Sequence, residues 1–513
     1  MYLGNVAQRT PDKAAIIHLG EKETILTYGE LDERSTRLAR YLREQGLKPG
    51  DGIAVLAANH LDVPEIYWAG QRSGLHYTPV NTHLSVDEIR HVITDSGART
   101  VFVSAANLDT AARALEGFDI MLVALDGARQ GFRDYETAIA SVSGAPLDGE
   151  LEGTPFIYSS GTTGLPKGVK RPQSGNAPGG TLFGMAPSIA AAYGLTEESI
   201  ALIPMPLYHS SGLTRLMICS SMGCTTIISE RFDATQALAT IEKYGVTDSL
   251  WVATMFVRML QLPAEVRDGF DLSSQVSVTV GSGPCPAHVK ERMIEWWGPI
   301  ITEIYGGTEG SGMTRITSRE WLTHRGSVGL PVFGAVHIVD DDGTVQPVGQ
   351  DGTIYFSGGR PFEYHNSKPG SAPAYDERGW STLGDIGHVD EEGYVYLTDR
   401  KSDMIIVGGV NISPAEIEAT LIEHPAVRDV AVIGVPSEEY GEVVKAVVEP
   451  MDPAAAGDAL ADELMRFCFE RLPKFKVPRS IDFEENLPRH PTGKLYKRLL
   501  RSRYWEGRPT NVV

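Results

Sequence analysis

The sequence predicts an α/β protein, with a large N-terminal domain of doubly wound sheets plus a small β-rich subdomain, followed by a small α+β C-terminal domain. Three observations predict it. Short apolar runs alternate with capped amphipathic stretches through the N-terminal part of the chain, the pattern of strands joined by crossover helices. Beyond residue 330 the runs shorten and Asp/Gly turns such as Asp341-Asp342-Gly343 and Glu391-Glu392-Gly393 separate them, as in antiparallel β structure. The length, 513 residues, exceeds what one core organises. The division is expected at 400/401, giving domains 1–400 and 401–513.

Each element has a local reason. Thr27 followed three residues later by Glu30 is a capping box, and Leu31, Leu38, Ala39 and Leu42 share one face of the helix it opens, which Gly46 closes. Ile53-Ala54-Val55-Leu56-Ala57 reads as a buried strand. Ser85 with Glu88 opens another helix, and Thr100-Val101-Phe102-Val103 is the next strand. Further strands are expected at 200–203, 225–228, 276–280 and 300–304. In the C-terminal part, Ser413-Pro414-Ala415-Glu416 combines an N-cap, a proline in the first helical turn and a capping glutamate. Strands at 429–433 and 443–448 and a helix at 458–472 complete that unit.

Composition narrows the function. Hydrophobic content of 42% and charged content of 22% are ordinary for a globular protein, while a formal net charge of -20 opposes nucleic acid or an anionic membrane as partner. An anionic ligand must be captured locally. Cys219, Cys224, Cys285 and Cys468 lack metal or disulfide spacing. The N-terminal residues lack an apolar targeting core, and no run is long and apolar enough to span a bilayer. A cytoplasmic protein is expected, with its oligomeric state, a homodimer included, left open.

The segment Tyr158-Ser159-Ser160-Gly161-Thr162-Thr163-Gly164-Leu165-Pro166-Lys167-Gly168 carries the chemistry. Glycines let backbone N–H groups approach an anion, hydroxyls add donors, and Lys167 supplies charge. Pro166 before the lysine, with no hydroxyl residue after it, sets it apart from a Walker A loop. The same composition would also serve a solvated turn. Other polar islands follow: Pro204-Met205-Pro206-Leu207-Tyr208-His209, Tyr305-Gly306-Gly307-Thr308-Glu309-Gly310, Gly384-Asp385, Asp399-Arg400 and Pro491-Thr492-Gly493-Lys494.

In this order the islands resemble the AMP-forming acyl-CoA synthetases of the adenylate-forming superfamily, which also holds peptide-synthetase adenylation domains and luciferases. The resemblance runs from Thr27-Tyr28 to Lys494. It implies an ATP- and Mg²⁺-dependent ligase that joins a carboxylic acid to coenzyme A through an acyl-AMP, releasing AMP and pyrophosphate. On this resemblance Ser159, Ser160, Gly161, Thr162, Thr163, Gly164 and Lys167 hold the β- and γ-phosphates. Glu309, with Thr162, holds Mg²⁺. Tyr305 offers its face to adenine, Gly306, Gly307 and Thr308 join it in binding the nucleotide, and Asp385 and Arg400 hold the ribose. Lys494 brings a point charge between carboxylate and α-phosphate. Gly409 lines the coenzyme A tunnel once the C-terminal domain rotates about Asp399–Asp403. His209 gates an acyl pocket walled by Tyr208, Thr254, Met255, Gly281, Ser282, Gly283, Gly306 and Gly307. Its glycines are expected to leave room for a medium or long fatty acid or a bulky aryl or cyclic acid.

The chain departs from the family pattern in places. Ser402 stands at the hinge where an acidic residue or lysine is usual, and Leu383 precedes Gly384-Asp385 where threonine is usual. Residues 170–176, Lys170-Arg171-Pro172-Gln173-Ser174-Gly175-Asn176, replace a Thr-His helix start, as a lid or as an added phosphate contact. Two other readings remain open: an adenylating enzyme that loads a carrier-protein thiol, and a non-catalytic acyl-adenylate or nucleotide sensor.

Overall fold

In the computed structural model, the described residues are 2–159, 166–179, 190–191, 193–283, 285–366, 374–400, 403–407, 410–437, 439–489 and 495–505. Near the N-terminus, strands Gly52–Leu56, His76–Pro79, Ala98–Val103 and Met121–Ala124 align in parallel within a sheet of six strands. The helix before the first of these strands and the one between the second and third begin where their caps predicted. Tyr28–Glu44 and Val86–Ser96 each have both hydrogen bonds of the capping box, from Thr27/Glu30 and Ser85/Glu88.

A second sheet, of thirteen strands among the described residues, runs across the molecule. Its centre is parallel: Thr225–Ser229, Ile200–Ile203, Asp248–Trp251, Ser277–Val280 and Ile301–Gly306 pair in that spatial order. Beyond Ile301–Gly306 the pairing turns antiparallel through Met313–Thr317 and Ser327–Phe333, and then Val395–Arg400, Ser381–Val389, Gly352–Ser357 and Ala335–Val339. The expected β-rich subdomain is thus a continuation of the central sheet. The C-terminal unit has its own mixed sheet, in which Val427–Ser437 and Gly441–Pro450 form a long hairpin packed by Leu460, Leu464 and Cys468 of the Asp458–Arg471 helix.

One local expectation is corrected. Ser413 sits at the N-cap of the Pro414–Leu421 helix, but its side chain makes no cap bond and Glu416 does not close a box. Asp399 does the capping instead: its carboxylate accepts from the Ala415 N–H at 3.1 Å and from the Ser413 hydroxyl at 2.6 Å. Glu416 turns outward to Lys476. A charged acceptor beats a hydroxyl at a helix N-terminus, and here it comes from the preceding strand.

The central sheet holds a buried ion pair. Lys290 has no exposed surface and Glu303 is 4% exposed; Nζ lies 2.8 Å from the carboxylate and 5.0 Å from the Trp321 ring centre. Glu303 is on the strand that carries Tyr305. Lys290→Ala would strand the carboxylate in the core, and urea unfolding is expected to show a loss of about 3–5 kcal/mol. A Lys290→Met/Glu303→Gln double variant, which buries no lone charge, should recover most of it.

Candidate active site

The functional loops leave the carboxyl ends of the parallel strands, where a doubly wound sheet opens a crevice. Ile200–Ile203 leads into 204–209, Asp248–Trp251 into Thr254 and Met255, Ser277–Val280 into Gly281–Gly283, and Ile301–Gly306 into Gly307–Gly310. Met255 is turned into the main hydrophobic core.

The Pro204–His209 loop is held by Asn59, a residue that sequence reasoning passed over. This buried amide donates to the Met205 carbonyl at 3.0 Å and the Ser229 carbonyl at 2.9 Å, and accepts from the Leu207 N–H at 2.7 Å. His209 is the N-cap of the Ser210–Met222 helix; its Nδ1 lies 2.7 Å from Ser211 Oγ. Two hydroxyl pairs tie this helix start to neighbouring loops: Ser210 to Thr308 at 3.2 Å and Ser211 to Ser282 at 2.9 Å. Ser282 has a φ of 67°, a strained conformation for a side chain with a Cβ. Tyr208 is buried, which pushes its phenol above the usual range.

The glycine-rich segment is a hairpin whose arms are Ile157–Ser159 and Lys167–Lys170, with Lys167 opposite Ser159 and Gly168 opposite Tyr158. Gly168 is obligatory there, because a Cβ would stand 2.7 Å from Phe156 Cε2. Ser160 to Gly164, with Thr162 and Thr163 among them, lie outside the described residues, as do Gly409 and Lys494. Lys167 is described: its ammonium sits 5.8 Å from the ring centre of Tyr364. Tyr364, on the adjoining strand opposite Val169, donates to Glu309 Oε1 at 3.1 Å. This tyrosine joins the lysine of the phosphate segment to the expected metal carboxylate. Burial first, then the Glu309 charge, raises its phenol above the usual range.

At the end expected to hold the nucleotide, the Tyr305 hydroxyl donates to Asp385 Oδ2 at 2.8 Å, fixing the ring expected to carry adenine. Asp385 and Arg400 are direct partners across antiparallel strands. Leu383, the departure before Gly384-Asp385, packs, like Tyr305, against the cluster of Val328, Ile338, Ile354, Phe356 and Val395. Its Cδ2 occupies a position 2.4 Å from where a Cβ on Gly307 would stand.

The expectation that the glycines leave room is therefore revised. A Cβ on Gly281 would meet the Ile304 carbonyl oxygen at 3.1 Å, and one on Gly306 the Gly312 carbonyl oxygen at 3.1 Å. These positions, like Gly307, are small because backbone or side chain already approaches them. Among the described residues, Gly283 alone of the four faces open space within 4 Å.

Residues 170–176, expected as a lid or an added phosphate contact, are tied to the domain as a strut. Ser174 bonds Glu152 at 3.0 Å, the Asn176 carbonyl accepts from the Glu152 N–H at 2.8 Å, and Gln173 reaches the Gly74 carbonyl. Arg171 passes beneath the 307–310 turn and donates to the Thr308 carbonyl at 2.8 Å. Burial and the like charge of Arg360 lower its pKa, while Glu309 opposes them.

The donor set suits Mg²⁺. Glu309 offers hard oxygen in a turn braced by Tyr364 and Arg171, and among the described residues no cluster of three His, Cys, Asp or Glu competes for the ion. One carboxylate plus substrate phosphates is the usual way of holding Mg²⁺.

The profile of the AMP-binding enzymes matches residues 3–363, and that of their C-terminal domain residues 416–494. The chain belongs to the AMP-binding enzyme family. Among its relatives, a feruloyl-CoA synthase of Amycolatopsis sp is 32% identical over 97% of both chains. A long-chain-fatty-acid–CoA ligase of Mycobacterium tuberculosis is 31% identical over 93% of both. The o-succinylbenzoate CoA synthetase of Bacillus subtilis, solved with its acyl-adenylate intermediate, superposes with a TM-score of 0.81 at 29% identity, covering 97% of each chain. This AMP-binding enzyme is accordingly an acid–thiol ligase that uses ATP, Mg²⁺ and coenzyme A. Among its described residues no helix is long and apolar enough to cross a membrane.

Proposed function

We propose that this enzyme joins a medium- or long-chain fatty acid, or a bulky aryl or cyclic carboxylic acid, to the α-phosphate of ATP and then passes the acyl group to the coenzyme A thiol. The observation that carries the reading is the Lys167–Tyr364–Glu309 connection together with the Tyr305–Asp385 pair, which supports a triphosphate end held by the first and a nucleoside end held by the second. The acid would enter beside His209, Ser211 and Ser282, next to Thr308. The relatives, which act on feruloyl, fatty acyl and succinylbenzoyl acids, favour an acid larger than acetate and coenzyme A rather than a carrier protein as acceptor.

In this mechanism two anions, a carboxylate and a triphosphate, must be brought into contact, so the residues work mainly by charge compensation and positioning. Lys167, Thr162 and Thr163 hold the departing pyrophosphate end. Bound Mg²⁺ would neutralise phosphate oxygens, with Glu309 as its protein ligand. Tyr305 and Asp385 orient adenine and ribose, and Lys494, delivered by domain 401–513 onto domain 1–400, steadies the attacking carboxylate. Rotation about the segment near Asp399 then removes Lys494 and brings Gly409 to the thiol path.

The test is product analysis. With ATP, Mg²⁺, coenzyme A and a panel of acids graded by chain length and ring size, AMP, pyrophosphate and a thioester are expected in equal amounts. ADP as the nucleotide product would overturn the reading.

A further inference from the structure

Arg215 lies on the face of the Ser210–Met222 helix that Ser211 presents to Ser282, four residues on, or about 6 Å deeper along the axis. Where Ser211 meets Ser282, Arg215 Nη2 donates at 2.9 Å to the hydroxyl of Thr279, three residues earlier along the same chain segment. The guanidinium therefore sits below the hydroxyl pair that marks the acyl side of the crevice.

It is also under-satisfied. Arg215 is 4% exposed and Asp248 compensates its charge, but through one nitrogen: Nη2 lies 3.1 and 3.2 Å from the two carboxylate oxygens. Among the described residues, buried Nε and Nη1 have no hydrogen-bond partner. Buried guanidinium donors are rarely left so, and a tether between helix and sheet would engage the fork in two parallel bonds. Tyr193 covers the group, 4.3 Å from ring centre to guanidinium carbon, and its hydroxyl reaches Met313 Sδ, whose residue pairs with Gly306 across the sheet. The result is a charge-neutral but donor-rich floor beside an aromatic wall.

We propose that Arg215 is a specificity-determining residue at the floor of the acyl site, and that the acid carries an accepting oxygen, as hydroxyl or carboxylate, at the end remote from its reacting carboxyl. The proposal rests on the acid-activating reading above. Nε and Nη1 donate to that oxygen, and an acid lacking it leaves them unpaired, which is how sites built for a polar substituent reject its plain analogue.

The probes are two matched pairs, cinnamate against 4-hydroxycinnamate and nonanoate against nonanedioate, scored by kcat/KM for AMP release. The oxygen-bearing member of at least one pair is expected to be favoured by roughly 100-fold, the pair concerned telling hydroxyl from carboxylate. In Arg215→Met/Asp248→Asn, which leaves no lone buried charge, that ratio should collapse to within about threefold. Arg215→Lys, lacking the fork, should fall between. Equal or reversed preference in both pairs for the wild-type enzyme would overturn the proposal, as would a double variant that lowers both members by the same factor. Should the variants not fold, the wild-type ratios decide it. Failure to form AMP from any acid would instead strike the acid-activating reading, whereas AMP formation without discrimination strikes Arg215 alone.

Discussion

Lys494→Ala is expected to lower acid-dependent pyrophosphate exchange by about 10²–10³-fold, the usual cost of removing one preorganised charge or donor from a developing anionic centre. The same variant should make thioester from supplied acyl-adenylate at a rate within about threefold of wild type. The asymmetry follows from the chemistry. Adenylation brings carboxylate and phosphate oxygens together, and a compact ammonium on a flexible stem is suited to sit between them. Thiol attack on the finished adenylate has no such encounter. Equal losses in both half-reactions would remove Lys494 from the role assigned to it.

Glu309→Gln should have an effect of similar size through a different route. The substitution keeps the shape and an oxygen able to accept from Tyr364, but removes the charge that a hard cation needs. Pyrophosphate exchange is expected to fall by about 10³-fold, and the Mg²⁺ concentration for half-maximal rate to rise by at least tenfold. Binding of AMP, followed by calorimetry, should be little changed, because AMP lacks the phosphates that share the ion. A parallel loss of AMP affinity would mean that Glu309 serves the fold of the 307–310 turn and not the metal. Tyr364→Phe, which leaves the carboxylate but frees its brace, should lie in between.

Much of the architecture was legible because it is locally encoded. The Thr27 and Ser85 capping boxes start their helices where the sequence puts them, and the strands Ile200–Ile203 and Thr225–Ser229 follow their apolar β-branched runs. The exception is instructive. Ser413 looks like an N-cap in sequence, yet Asp399, fourteen positions earlier, takes the task because strand and helix meet there. A pattern confined to one turn cannot register such a competitor.

The site divides along the same line. The order of hydroxyl, glycine, acidic and lysine motifs marked the family, since each motif's chemistry is written in consecutive residues. Their mutual bracing was not. Tyr364 and Glu309 are 55 positions apart, Asn59 and Leu207 are 148, and Arg171 reaches Thr308 across 137. Nothing near Tyr364 or Asn59 in sequence distinguishes them from any other tyrosine or asparagine. Arg171 did stand out as an intrusion, but its function as a strut depends on a turn contributed from elsewhere.

By itself, then, the sequence determined the class of this protein, its order of elements and the reaction its motifs serve, because caps, periodicity and short phosphate-binding segments act over a few residues. Tertiary structure alone decided which glycines face space, which carboxylate caps a helix, and that Arg215 lies one turn below the Ser211–Ser282 pair with two nitrogens unpaired among the described residues. Those outcomes depend on close packing between distant segments, where a neighbour's position to within an ångström decides whether a small residue marks a pocket or a filled contact.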